Sequence, residues 1–221
     1  MPSFPVAPVI FEEFFTTAHY IIFVRTEVRG AGLRPIPMPW LKKSTSEPLT
    51  VAMSGIKLGH RVLVIGCTDP VLIAGLAIKS GLTGRACAVD AVESRVVQTA
   101  QTVEREGALV ESTTAPLTSL PYPHASFDVV VLRDALGPAR ADERPAILEQ
   151  VLRVLRPGGR AVVIETAARS GLGGLLSRPV NTEFLATGGA PPLLTSVGFA
   201  AVRTLAEREG LVFAEGVKRN A

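Results

Sequence analysis

The residues of this chain best suited to chemistry are carboxylates standing where an apolar run gives way to a helical pattern. Asp90 closes the run Arg85–Asp90 and lies twenty-four residues after Gly66, which closes the run His60–Gly66. In an open parallel sheet, ligands bind beyond the carboxyl ends of the strands, and an acid in this place accepts both hydroxyls of a ribose. The intervening turn reads Gly66-Cys67-Thr68-Asp69-Pro70. Gly66 permits a tight turn, but a dinucleotide fingerprint also requires glycine at positions 68 and 71, where Thr68 and Val71 stand. NAD and FAD are therefore poor matches. Asp69-Pro70 is a strong helix start, with an acid at the N-cap and proline in the first helical position. That end would otherwise seat a ligand carboxylate, which Asp69 opposes. Asp90-Ala91-Val92-Glu93 also reads as a capping box, so Asp90 has a local structural role available beside the ligand one.

A second group follows a later apolar run, Phe127–Leu132: Arg133 and Asp134. Asp134, His19 and Tyr20 are the candidates for a catalytic base. Each has a plainer alternative. Asp134 serves equally as a turn or cap residue, Arg133 as an ion-pair partner, His19 as the edge of an amphipathic helix, and His124 as a solvated loop residue. Cys67 and Cys87 give neither a disulfide framework nor a metal-ligand spacing, so no metal site is expected.

Positioning these residues requires a regular scaffold, and the pattern from Leu49 onward supplies one. Helices are expected at Leu49–Leu58, Pro70–Ser80, Val92–Glu106 and Asp142–Leu155. Strands are expected at His60–Gly66, Arg85–Asp90, Ala108–Thr113, Phe127–Leu132 and Gly159–Glu165. Such alternation implies a parallel sheet with helices on both faces. After a helix ending at Val197, Phe199–Leu205 and Leu211–Lys218 form a hairpin, which makes the last strand antiparallel. The fold class expected is α/β: a doubly wound, Rossmann-like, mostly parallel seven-stranded sheet closed by a C-terminal β-hairpin.

Residues 1–48 differ from the rest. Seven of the twelve aromatic residues lie there, and over Val9–Glu27 Phe11, Phe14, Phe15, Ala18, Ile22 and Arg25 fall near one face of an expected helix, although Ile21–Val24 could instead begin a strand. Pro35, Pro37 and Pro39 then forbid helix and favour an extended linker. The division expected is an N-terminal helical and aromatic extension, residues 1–48, acting as lid or interface, and a domain over residues 49–221.

Composition narrows the function. Of 221 residues 47% are hydrophobic and 19% charged, which excludes intrinsic disorder. The net charge of +3 has no concentrated address, the longest Lys/Arg run being Lys42-Lys43, so nucleic acid is not the expected partner. The start carries no basic region of a signal peptide, and no apolar stretch approaches the roughly 20 residues that span a bilayer. A cytoplasmic protein without stable membrane insertion is expected.

Three segments carry a resemblance. They are Leu120-Pro-Tyr-Pro-His-Ala-Ser-Phe-Asp128 leading into VVVL, Glu149-Gln-Val-Leu-Arg-Val-Leu-Arg-Pro-Gly-Gly159 leading into RAVVIE, and the ending LLTSVGFAAVRTL…GLVFAEGVK. In order and spacing they resemble class I S-adenosylmethionine (SAM)-dependent methyltransferases of the ubiquinone/menaquinone C-methyltransferase type (methyltransferase type 11), from about Leu49 to Lys218. The resemblance implies SAM as cofactor and methyl transfer to a small, apolar acceptor. It implies cofactor contacts from Gly66, Cys67, Thr68, Asp69, Asp90, Ala91, Thr114, Ala115 and Arg133. The family's acid two residues before the first glycine is here Val64, and its later glycines are Thr68 and Pro70. The acid expected after the third strand is absent from Thr113–Pro116. Thr68, Thr113 or Thr114 could replace lost contacts, and Asp69 could take the cofactor's ammonium. The alternative expectation is a degenerate methyltransferase fold that binds SAM weakly or not at all and serves as partner subunit or scaffold, with a homo- or hetero-oligomer formed through residues 1–43.

Overall fold

The structure is a computed structural model that describes residues 47–167 and 182–220. The extension expected over residues 1–48, with its helix, His19 and Tyr20, lies outside the described residues apart from Glu47 and Pro48. In chain order the elements are α1 (Leu49–Ser54), β1 (Arg61–Ile65), α2 (Pro70–Ser80), β2 (Arg85–Asp90), α3 (Glu93–Arg105), β3 (Glu111–Thr114) and β4 (Phe127–Arg133). They continue with α4 (Glu143–Val154), β5 (Leu155–Thr166), α5 (Thr182–Ala186), α6 (Ala190–Val197), β6 (Ala200–Arg208) and β7 (Leu211–Val217).

Seven strands form one sheet in the order β3-β2-β1-β4-β5-β7-β6. The first five run parallel, and β7 lies antiparallel between β5 and β6. Strand order reverses between β1 and β4, and in open α/β sheets ligands bind beyond the carboxyl ends of the strands at such a reversal. The expected doubly wound sheet with its closing hairpin is therefore present.

Strand composition explains the two-sided core. Leu63 and Ile65 of β1 pack in one buried cluster with Val130 and Leu132 of β4 and with Ile147, Leu148 and Val151 of α4. Val62 and Val64 face the opposite cluster, with Ile73 and Leu76 of α2, Val129 and Val131 of β4, and Phe213 of β7. Because both faces are covered, the strands read as continuous apolar runs rather than alternating ones.

The local signals account for the element ends. Asp69 caps α2 by accepting from the Leu72 amide at 3.1 Å, with Pro70 in the first turn. The hairpin turns on Glu209 and Gly210, both at positive φ (55° and 73°), which matches the twist of the flanking strands.

Some boundaries differ from expectation. Helix α1 stops at Ser54 rather than Leu58, because Gly55 adopts a left-handed conformation and closes it. Strand β3 begins at Glu111 rather than Ala108, since as the sheet's edge it pairs only with Cys87–Asp90 of β2. Helix α4 ends at Val154, ahead of the residue preceding Pro157, as proline sterics require. The Pro157-Gly158-Gly159 turn also joins the sheet's end: the Gly158 amide donates to the Lys218 carbonyl (3.0 Å), and the Lys218 amide to that of Gly159 (2.8 Å). β6 runs on to Arg208, three residues beyond the expected Leu205.

Candidate active site at the strand ends

Five strand ends, those of β1 to β5, hold the residues of the candidate site. Gly66 takes φ +93°, and any Cβ there would collide with the Arg133 carbonyl oxygen. Glycine is thus required by close approach of two backbones, the turn after β1 lying directly against the exit of β4. Thr68 donates its hydroxyl to the same carbonyl at 3.4 Å.

Asp90 is 3% exposed and organises the first half of the site. Its Oδ2 accepts from the Cys67 amide at 2.8 Å, and its Oδ1 from the Val92 amide at 2.8 Å. Arg95 stands 3.5 Å from Oδ2. The expected capping box does not form. Helix α3 starts at Glu93 with Val92 at its N-cap and no side-chain cap, because Asp90 folds back on the Val92 amide instead. Asp90's own carbonyl accepts from the Ala115 amide at 3.1 Å, which sets Thr114 and Ala115 beside it, while Ala91 is exposed at the rim. The Cys67 thiol is buried, and burial pushes its pKa up to about 11, so it is a poor nucleophile near neutral pH.

The second half is a charge network. The Arg133 side chain is only 8% exposed. Its Nη1 lies 2.7 Å from Asp134 Oδ2, and its Nε lies 3.7 Å from Asp69 Oδ2 without a hydrogen-bond partner. Asp134, at φ 46°, accepts from the Thr166 amide (2.7 Å) and hydroxyl (3.0 Å), which ties the exit of β4 to the end of β5. Asp134 is thereby a turn residue that anchors Arg133.

Sequence reasoning singled out neither Glu165 nor Arg144. Glu165 Oε1 accepts from the amides of Leu136 (2.9 Å) and Gly137 (3.3 Å). Burial, reinforced by Asp134, pushes the Glu165 carboxyl up to about 7 against the opposing effect of those amides and Arg133. The available signal was an acid inside an otherwise apolar strand ending, Val162-Val163-Ile164-Glu165.

The cofactor implied by the resemblance fits this donor set. Asp90 has about four lone-pair sites, and the two amides occupy only two of them, leaving acceptors for ribose hydroxyls. The Arg133 guanidinium beside the partly exposed Asp69 carboxylate presents charges of both signs, as a zwitterionic amino-acid group requires. No cluster of metal-ligating residues occurs among the described residues. No helix among them is long and apolar enough to cross a membrane.

Known proteins resemble this chain in sequence and in fold. Residues 62–159 match the family described as Methyltransferase domain. The ubiquinone/menaquinone biosynthesis C-methyltransferase of Chromobacterium violaceum is 31% identical over 116 residues, 52% of this chain and 47% of that protein. The match thus spans about half the length of the curated relatives. Among solved structures, a SAM-dependent methyltransferase from Aquifex aeolicus superposes with TM-score 0.64 at 20% identity, covering 76% of this chain and 87% of that one. The [4+2]-cyclase SpnF superposes with TM-score 0.58 at 18% identity, covering 78% and 79%.

Proposed function

We propose that the folded body of this chain is a class I methyltransferase domain that binds SAM and transfers a methyl group to a small, apolar acceptor. The observation that supports this reading is that Asp90 accepts from the Cys67 amide at the end of β1 while Asp69 pairs with Arg133 at the exit of β4, the two strands between which the order reverses. Asp90 holds the ribose hydroxyls while its bonds to the Cys67 and Val92 amides keep the carboxylate oriented. Arg133 binds the amino-acid carboxylate and Asp69 the ammonium, replacing the contacts that a glycine-rich turn makes through backbone amides. Thr68, Thr114, Ala91 and Ala115 line the same edge.

Bound SAM supplies an activated methyl group, so the protein's task is to hold donor and acceptor in line. In this reading Asp134 fixes the cofactor's anchor through Arg133 rather than acting as the base. The acceptor class rests on the resemblance to the C-methyltransferases, whose matched region is half their length.

The test is calorimetric titration of the full chain with SAM and with its demethylated product. Both are expected to bind. Asp90→Asn keeps one carbonyl acceptor but loses the charge. It is expected to weaken binding about tenfold to a hundredfold, since a hydrogen bond to a charged group contributes about 1.5–3 kcal/mol. Absence of both heat and thermal shift at millimolar ligand would overturn the enzyme reading in favour of a scaffold.

A further inference from the structure

The turn that follows Asp134 is gripped on both of its polar sides. Its amides at Leu136 and Gly137 point to the Glu165 carboxylate. Its carbonyls point to Arg144: Nε donates to Leu136 (3.0 Å) and Ala139 (3.2 Å), and Nη2 to Gly137 (3.3 Å). Both side chains are buried, Glu165 at 6% and Arg144 at 4% exposure. Gly137 makes the approach possible, because a Cβ there would stand 2.8 Å from Glu165 Oε2. The Arg144 guanidinium also lies over the Phe184 ring of α5, 4.8 Å from its centroid. Glu165 and Arg144 come from different elements, β5 and α4, and neither needs this arrangement to complete its own strand or helix.

We infer that Glu165 and Arg144 are positioning residues that lock the turn over residues 134–139, so that Arg133 and Asp134 meet the amino-acid end of the cofactor at fixed places. The inference rests on the cofactor reading above. A carboxylate accepting two amides and a guanidinium donating to three carbonyls fix the turn's position and its tilt together. Ionised Glu165 accepts more strongly than the neutral acid, so the grip tightens as its proton leaves. The charged groups facing Glu165 are Asp134 and Arg133 from the end of β4. From α4, Arg144 reaches the same turn on its carbonyl side. The acid of α5, Glu183, is exposed.

The experiment follows the Leu136 and Gly137 amide resonances of the isotope-labelled full chain, and its SAM affinity, across the neutral pH range. In the wild type both amides should titrate together near neutrality, and SAM should bind about fivefold more tightly on the alkaline side than in Glu165→Gln, the gap closing on the acid side. Arg144→Lys, which keeps the charge and one donor nitrogen, should retain more of the affinity than Arg144→Ala. Amides that do not titrate, or a wild-type affinity profile that parallels that of Glu165→Gln, would overturn the inference while leaving SAM binding intact. A wild type that binds no SAM but shows the amide titration would sink the cofactor reading instead, leaving the turn's restraint a feature of the fold alone.

Discussion

The turn after β1 and the turn after β4 leave adjacent strands at the same edge of the sheet, yet they are held by different physics. The first is held by backbone contact. Gly66 lies against the Arg133 carbonyl, which leaves no room for a side chain. The second is held by buried charges, with Glu165 on its amides and Arg144 on its carbonyls. Backbone contact is insensitive to pH and intolerant of any added atom. Charge clamping tolerates a change of shape better but responds to a proton. Two parts of one site are thus vulnerable to different perturbations.

The sharpest way to break the first turn is Gly66→Ala. Positive φ at a non-glycine residue costs on the order of 1–3 kcal/mol, and the collision with a backbone carbonyl adds to it. Urea denaturation should show a loss of about 3 kcal/mol or more; a loss below about 1 kcal/mol would mean that the turn can move away from β4.

The second turn should respond to pH instead. Glu165 has its folded-state pKa raised to about 7 from an unfolded value near 4.5. Between those values the native state holds more protons than the unfolded one, so this group's contribution to stability falls as pH rises and levels off above about 7. Relative to the wild type, Glu165→Gln should gain about 3 kcal/mol between roughly pH 4 and pH 8, measured as the difference of two denaturation series. A constant difference would show that Glu165 does not titrate in that range. Alkaline pH therefore costs stability while it strengthens the grip on the turn.

The smallest effect should come from Arg95→Gln. Arg95 is half exposed and pairs with Asp90 at 3.5 Å, but two amides already hold that carboxylate. Stability should change by less than about 1 kcal/mol, as for exposed ion pairs in general. A larger loss would make Asp90 dependent on charge in the same manner as the β4 turn.

The legible parts of the site are those fixed by neighbours in sequence. Asp69-Pro70 and Gly81 bracket α2 as expected, and Asp90 ends β2 where an acid meets the candidate site. Asp90's pairing with the Val92 amide displaced the anticipated capping box, because two local hydrogen-bond patterns competed for the same oxygens. Arg133 was visible as a charged residue after an apolar strand, but its burial between Asp69 and Asp134 was not. Glu165 was overlooked because its run reads as ordinary β-strand, and the amides it serves lie 28 and 29 residues earlier.

The sequence by itself determined the alternation of strand and helix, the cap of α2, the parallel sheet and the antiparallel ending, since periodicity, proline and glycine act over a few residues. Only the tertiary structure decided which strand ends adjoin. It brought Asp69 to Arg133, and Glu165 to the turn after β4, by setting the order β1-β4-β5 within the sheet. A charged side chain in a strand carries no local mark of its partner. Its partner is chosen by strand order, and strand order is set by how all the apolar faces are buried at once.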